Sequence, residues 1–178
     1  MKTLKVNCVQ NVSRECVVCG THNPFSLQTK FFECENNVLM GRVRGEDHHQ
    51  SYPGRMHGGM ISAIIDETVG RAVQIGAPDI WGVTGELKIR YVKPTPLGVD
   101  LHCFAKLTMN NSRIFKGVAI LETATGELVA TGEATYFKMT IDKISDGFGD
   151  DDWYHEDMEM PIYVNLYNDE ALEKLCNK

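Results

Sequence analysis

Long apolar runs are missing from this sequence. Nowhere among its 178 residues is there a stretch of the ~18 apolar residues that a membrane-spanning helix needs. The first residues, MKTLKVNCVQ, are not followed by the apolar core of a secretory signal. We therefore expect a cytoplasmic protein, whose 6 cysteines remain reduced thiols and form no disulfides.

Basic charge is also scarce. The formal charge of -6 comes from residues 142–159, where eight acidic residues and one lysine give a local charge of -7 and leave +1 for the rest of the chain. A near-neutral body without a basic stripe attracts nucleic acid weakly. The sequence therefore predicts neither a nucleic-acid partner nor a membrane partner.

The Gly-x-Ser-x-Gly motif of the α/β-hydrolases is absent as well, which counts against a serine-hydrolase mechanism. The composition, 43% hydrophobic and 24% charged, is that of an ordinary globular domain. Its length allows one domain with an appendage. We divide it into a cysteine-bearing, turn-rich lead-in (1–26), a main domain (27–140), and an acidic linker with a C-terminal appendage (141–178).

The apolar pattern predicts an α+β fold. Two extended segments, SLQTKFFEC and NVLMGRVRG, precede a helix over 58–75. Four alternating runs follow, joined by turn-like segments at 95–98, 110–111 and 125–126, which favour a four-stranded antiparallel meander. We expect a curved antiparallel sheet wrapped around one long central helix. A terminal helix capped by Asn168 or Asp169 is predicted in the appendage.

The helix GGMISAIIDETVGRAV separates its two adjacent acidic residues onto different faces. At ~100° per residue, Asp66 shares a stripe with small residues, whereas a second arc suits packing on the sheet. The members of the second arc are Ile61, Ile65, Thr68 and Ala72. Glu67 lies on a third arc with Arg71 and Gln74, where an i,i+4 ion pair with Arg71 explains it as a solvent-side residue.

Asp66 is the stronger functional candidate because it has no partner one turn away on the helix. An unpaired carboxylate in an apolar helix is costly to bury, so we expect a raised pKa. The alternative is a structural hydrogen bond to a strand or to a partner's helix. His57-Gly58-Gly59 stands at the helix start, where free backbone amides can form an oxyanion hole.

The spacing between these two features has a further consequence. Gly58 and Asp66 are eight residues apart, which is ~12 Å along a helix axis. One helix therefore cannot bring both groups to one small reacting centre. If both act on one carbonyl, the carboxylate comes from a second copy of the chain.

The segment HGGMISAIIDE, preceded by SYPGRM and followed by TGELKIRYVKPTPLG, resembles the hotdog-fold thioesterases, specifically the PaaI-like branch. The resemblance covers roughly residues 27–140 and includes the lead-in motif CVVCGTHNPFSL. It implies a homodimer, often paired into a homotetramer, that hydrolyses acyl-CoA thioesters. Neither a metal nor a cofactor is implied beyond coenzyme A as part of the substrate.

The resemblance also implies roles for single residues. Asp66 would be the general base or nucleophile, the Gly58 and Gly59 amides would polarise the thioester carbonyl, and His57 would orient it. Thr84 would lie near the attacking water, and Ser51 stands where many relatives have an asparagine, with Gln50 as a possible substitute. Residues that we expect to contact the phosphates of coenzyme A are Arg55, Arg90, Lys93, Arg113 and Lys116.

Three alternatives stay open. The Cys16-x-x-Cys19 pair is best explained as a reduced structural turn, but with Cys8, His22 or Cys34 it would suit zinc. The same cleft would also serve a non-catalytic acyl-CoA-binding or regulatory protein. A hydratase would need a histidine and an acid acting together, which His57 and Asp66, ~14 Å apart by helical rise, do not favour.

Overall fold

The computed structural model describes residues 1–149 and 151–177; residues 150 and 178, both in the predicted appendage, lie outside the described residues. Thirteen helices and strands are defined in the described part of the chain. They are β1 (Lys2–Val9), β2 (Val12–Ser13), β3 (Lys30–Cys34), β4 (Val38–Arg44), α1 (Gly58–Arg71), β5 (Trp81–Tyr91), β6 (Asp100–Asn110), β7 (Ile114–Thr123), β8 (Leu128–Met139), α2 (Ile141–Ile144), β9 (Trp153–Tyr154), β10 (Tyr163–Leu166) and α3 (Asp169–Cys176). Short 3-10 turns also occur, one of which (Ala72–Gln74) continues α1.

One antiparallel sheet dominates the fold. Within the described residues it has eight strands in the order β10-β1-β3-β4-β6-β7-β8-β5. Helix α1 packs on one face, against β4, β5, β6, β7 and β8. This arrangement confirms the predicted α+β fold with a central helix.

Strand β7 shows how the sheet forms a core on both faces. Successive side chains of a strand point to opposite faces, and Phe115, Ala119 and Leu121 join the core beneath α1. Val118 and Ile120 join a second core on the other face. Because both faces are covered, β7 reads in the sequence as a nearly continuous apolar run.

The predicted hairpins form where a short turn links two strands. Strands β3 and β4, β6 and β7, and β7 and β8 pair as neighbours. At the last of these turns Gly126 adopts a φ of 92°, a backbone conformation that favours glycine.

The prediction of a four-stranded meander is wrong for β5. Strand β5 pairs with β8 at one edge of the sheet, and β6 lies beside β4. The segment between β5 and β6 is bound to the loop before α1 instead, with the Met56 N–H donating to the Thr95 carbonyl at 2.9 Å. Pro94 and Pro96 lack the amide that a hairpin ladder needs, which favours this crossover.

Both ends of the chain pack into the domain, whereas the sequence predicts a turn-rich lead-in and a separate appendage. Residues 2–9 form β1 rather than turns, and alternate side chains Leu4 and Val6 are buried. Strand β10 pairs with the first half of β1. Helix α3 begins after Asn168, as predicted, and packs on β6 and β7. Both ends therefore contribute to the second core.

Truncating Leu172 tests whether α3 stabilises the whole domain. Leu172 is fully buried in the second core, so Leu172→Ala is expected to lower the free energy of unfolding by about 2–5 kcal/mol. Ile162→Ala, at a side chain that is 69% exposed, is the matched control and should stay within about 0.5 kcal/mol. Chemical denaturation of both variants measures the difference. Equal stability of the two would contradict an integral role for α3.

No helix in residues 1–149 and 151–177 has both the length and the apolarity to cross a membrane.

Candidate active site

The N-terminus of α1 is capped by the side chain of His57. Its Nδ1 accepts a hydrogen bond from the Gly59 amide at 2.9 Å. Because Nδ1 is the acceptor, a neutral imidazole in this arrangement carries its proton on Nε2. The cap therefore makes the exposed Nε2–H of His57 a hydrogen-bond donor at the helix tip.

The same cap makes Gly58 and Gly59 different, although the sequence predicts the same role for both amides. The Gly59 amide is engaged by His57, whereas the Gly58 amide has no hydrogen-bond partner in the part of the chain that the structure describes. The expected pair of open backbone amides is thus reduced to one. Gly58 N–H and His57 Nε2–H are the donors that the helix tip offers to a ligand.

Tyr91 fixes the first turn of α1 to the edge strand β5. Its hydroxyl donates to the Gly58 carbonyl at 3.0 Å and lies 2.7 Å from the Ser62 hydroxyl. A Cβ on Gly58 would lie 3.4 Å from the Tyr91 hydroxyl oxygen, an ordinary contact distance. The helix tip is therefore positioned by Tyr91, a side chain whose role is not predicted from the sequence.

Asp66 is half-buried two turns further along α1 and has two hydroxyl partners. The Thr84 hydroxyl donates to the carboxylate, 3.0 Å from Oδ1 and 3.3 Å from Oδ2. The Tyr136 hydroxyl lies 2.8 Å from Oδ1 and 2.7 Å from the backbone carbonyl oxygen of Asp66. Residue 66 thus has partners, but they come from β5 and β8 rather than from α1.

The electrostatic environment of Asp66 agrees with the expected direction. Burial raises the pKa of Asp66 above its ordinary value, and the hydrogen bonds from Tyr136 and Thr84 act in the opposite direction. Burial is also the main reason why the pKa of Tyr136 is raised, so its hydroxyl stays protonated and keeps donating to the carboxylate. Both donors stabilise the ionised form of Asp66.

The small residues on the Asp66 stripe leave room for the Tyr136 ring. A Cβ on Gly70 would lie 3.2 Å from Cε1 of that ring, closer than side chains normally approach. Tyr136 also stacks on Phe115, with ring centroids 4.7 Å apart. A glycine one turn after the acid therefore allows the tyrosine to reach it.

Asp66 opens into a cavity of about 160 Å³. Thr84 and Tyr136 line it beside the acid, and Trp81 and Trp153 line another part of the wall. The two indole rings meet edge to face with centroids 4.9 Å apart. A carboxylate held by two hydroxyls thus faces a small cavity with aromatic walls.

The helical-wheel prediction places Glu67, Arg71 and Gln74 on the solvent side of α1. The structure corrects this prediction for that arc of the helix. The i,i+4 ion pair forms as expected, with Arg71 Nε 2.7 Å from Glu67 Oε1. The side chain of Arg71 is only 5% exposed, and Gln74 is buried. The Trp153 ring and the lead-in segment cover this arc, and neither is near it in sequence.

The loop before α1 holds Ser51 and Gln50 in different ways. The Gln50 side-chain oxygen accepts the Gly54 amide at 2.8 Å and closes the loop. Ser51 makes a backbone hydrogen bond to the Arg55 carbonyl at 2.9 Å, and its side chain is exposed. The hydroxyl of Ser51 is therefore available to a ligand, whereas the Gln50 oxygen is engaged.

Within a single chain, the five basic residues expected to contact coenzyme A do not lie together at one site. Arg90 and Lys116 line two separate cavities beside α3 on the outer face. Lys93 pairs with Glu127 at 2.6 Å. Arg55 lies in the loop before α1 and Arg113 in the turn between β6 and β7. Of these, only Arg55 is close in sequence to the helix tip.

Replacing Tyr136 with phenylalanine tests the contact that sequence reasoning missed. We expect the free energy of unfolding to fall by about 1–3 kcal/mol, because the half-buried carboxylate of Asp66 loses a donor. Tyr52→Phe, at a ring that is 77% exposed, is the control and should have little effect. Thermal and denaturant unfolding of the two variants provide the comparison. A Tyr136→Phe protein as stable as wild type would contradict this contact.

Comparison with known proteins places the chain in a family. The thioesterase superfamily profile matches residues 53–130. Human acyl-coenzyme A thioesterase 13 is 32% identical over 97 residues, which cover 52% of this chain and 67% of that protein. The chain belongs to the thioesterase superfamily.

Solved structures agree with this assignment. A crystal structure of a thioesterase superfamily protein matches with a TM-score of 0.63 and 28% identity, over 71% of this chain and 61% of the other. This chain thus spans about three fifths of that protein. A Bacillus halodurans protein solved with CoA matches with a TM-score of 0.52 and 28% identity, over 56% of this chain and 66% of that one. These neighbours confirm the hotdog fold.

Proposed function

We propose that this protein is an acyl-CoA thioesterase that hydrolyses its substrate to a free acid and coenzyme A. The observation that carries the proposal is the Asp66 carboxylate, held by Thr84 and Tyr136 beside an open cavity in a thioesterase-superfamily chain. A thioester has a good leaving group, so an activated water and a stabilised oxyanion are sufficient. Apart from the substrate and water, the proposed chemistry uses only groups of the protein.

In the proposed reaction, Asp66 takes a proton from a water that attacks the thioester carbonyl carbon. A carbon–oxygen bond forms, and the negative oxygen is bound by the Gly58 N–H and the His57 Nε2–H. The carbon–sulfur bond then breaks, and the departing thiolate receives the proton that Asp66 took from water, which gives free coenzyme A and regenerates the carboxylate. Thr84 keeps the carboxylate oriented towards the water, and the exposed hydroxyl of Ser51 is free to contact the substrate.

We further propose that the site is shared between two copies of the chain. Gly58 and Asp66 are ~12 Å apart along one helix axis, too far to serve one carbonyl. Strand β5 ends the sheet on one side, and its exposed apolar side chains Val83 and Tyr91 suit a partner. A homodimer, alone or as a dimer of dimers, would bring the helix tip of one copy to the acid of the other.

The acyl-CoA contacts belong to the same proposal. The similar solved structures include a Bacillus halodurans protein with CoA. Arg55 is exposed and three residues before Gly58, so we assign it to a phosphate of coenzyme A. Lys93 is a weaker candidate because its ammonium group is paired with Glu127.

A panel of acyl-CoA substrates tests the function. Purified protein is expected to release free coenzyme A, detected by a thiol reagent, from at least one substrate class. Tight acyl-CoA binding without release of thiol would favour the non-catalytic binding protein instead. Neither binding nor turnover across short, long and aromatic acyl groups would reject both functions.

A further inference from the structure

A cluster of two thiols and a carboxylate lies next to the candidate active site and takes no part in the proposed reaction. The sulfur atoms of Cys16 and Cys19 and a carboxylate oxygen of Glu67 all lie within 4.8 Å of one another. Both cysteines are free thiols; Cys19 is fully buried and Cys16 half-buried. We call these three residues the Cys-Cys-Glu cluster.

The turn that carries the two cysteines is built around their sulfur atoms. The Val18 amide donates to Cys16 Sγ and the Ser13 amide to Cys19 Sγ, each at 3.3 Å. Gly20 closes the turn with a bond from its amide to the Cys16 carbonyl, and a Cβ there would lie 2.5 Å from that oxygen. Amide donors aimed at sulfur stabilise the thiolate, which is the form that binds metal.

The third donor comes from α1, and not from Cys8, His22 or Cys34, which the sequence offers as further ligands. Cys8 is exposed, and the His22 ring contacts Tyr154 instead. Glu67 supplies the carboxylate from the helix, so the cluster joins residues about fifty positions apart in the chain. A bound ion would tie the lead-in to α1.

Arg71 orients two of the three donors from outside the cluster. Its guanidinium group donates to Glu67 at 2.7 Å and to Cys19 Sγ at 3.0 Å. The group also contacts two aromatic rings, because its central carbon lies 4.5 Å from the ring centroid of Phe31 and 4.5 Å from that of Trp153. Partners of this kind around a metal site fix the orientation of its ligands.

The charges of the cluster favour a divalent cation. With both thiols protonated, the charges of Glu67 and Arg71 cancel. Loss of the two thiol protons leaves a net charge of about −2, which is costly to bury unless a 2+ ion replaces the protons. Two thiolates and one carboxylate are donors that suit zinc.

We propose that Cys16, Cys19 and Glu67 bind one zinc ion as a structural clamp between the lead-in and α1, with water as the fourth ligand. Tetrahedral coordination at a Zn–S distance of about 2.3 Å would place the two sulfurs about 3.8 Å apart, within the observed limit. Binding releases the two thiol protons to solvent and involves no oxidation.

Metal titration of the reduced, full-length protein tests the site. After chelator treatment and removal of the chelator, wild type is expected to bind one zinc per chain and to gain thermal stability. Cobalt(II) should give the intense near-ultraviolet absorption of a thiolate-bound ion. Cys16→Ser should abolish that absorption, and Glu67→Gln should weaken zinc affinity at least roughly tenfold.

Cys8→Ser is the matched control, because it makes the same substitution at an exposed cysteine outside the cluster. It should keep one zinc per chain. The proposal is overturned if reduced wild type binds no zinc, or if the cobalt absorption survives in Cys16→Ser. It is also overturned if the pair merely forms a disulfide under mild oxidation while the reduced protein takes up no metal. None of these readouts depends on thioester hydrolysis.

Discussion

The Asp66→Asn protein is expected to lose thioester hydrolysis by roughly 10²–10⁴-fold while keeping its fold. Asparagine has the shape of aspartate and retains an oxygen that can accept the hydroxyls of Thr84 and Tyr136, which lie 3.0 and 2.8 Å from Oδ1. What it lacks is the ability to take a proton from water. The loss should therefore fall on kcat, with little change in KM.

The measurement is the initial rate of coenzyme A release from the best substrate of the panel, followed with a thiol reagent. Asp79→Asn makes the same change at an exposed acid in the loop after α1 and should keep wild-type turnover. Unfolding curves and size-exclusion profiles of both variants check that fold and assembly are retained. Full turnover by Asp66→Asn would remove Asp66 from the mechanism.

The spacing of residues within α1 is sufficient to identify Asp66 as a candidate. A period of 3.6 residues places Ile61 and Ile65 in the core and Asp66 on another side, as the structure has them. The same periodicity predicts the ion pair between Glu67 and Arg71. Contacts within one helix depend on residues three or four positions apart, so the sequence alone specifies them.

Contacts between distant segments could not be predicted in the same way. Tyr136 is seventy residues from Asp66 and reaches it only because β8 pairs with β5 in a particular register. Strand alternation indicates that Tyr136 faces inward, but it does not say which helical residue it meets. Trp153 buries Arg71 for the same kind of reason, since a short strand of the acidic linker pairs with β2.

The residues in the turns explain why the hairpins could be predicted and the crossover after β5 could not. The asparagine- and glycine-containing turns after β3, β6 and β7 are short and make hairpins. The segment after β5 also has turn residues, but its prolines cannot donate to a ladder and its amides bind the loop before α1. Composition alone does not separate a hairpin from such a crossover.

The Gly58→Pro protein is expected to lose about 10²–10³-fold in kcat, because proline removes the amide that we assign to the oxyanion hole. Proline is well tolerated at the first position of a helix, which is where Gly58 lies. The preceding residue must be extended, and His57 already has φ -65° and ψ 138°. Gly58→Ala is the matched control, since it keeps the amide and its Cβ meets Tyr91 at an ordinary distance. An equal loss of kcat in both variants would show that the added side-chain atoms, and not the missing amide, lower the activity.

Mixing the two inactive proteins, Gly58→Pro and Asp66→Asn, then tests whether the site is shared. If the helix tip of one copy serves the acid of the other, each mixed dimer contains one site with both changes and one site with neither. Random exchange of subunits makes about half of the dimers mixed, so about a quarter of wild-type activity should return. If a single chain supplies both groups, every site carries a defect and no activity returns. Recovery is therefore expected only from a site built by two chains, as the ~12 Å between Gly58 and Asp66 along one helix requires.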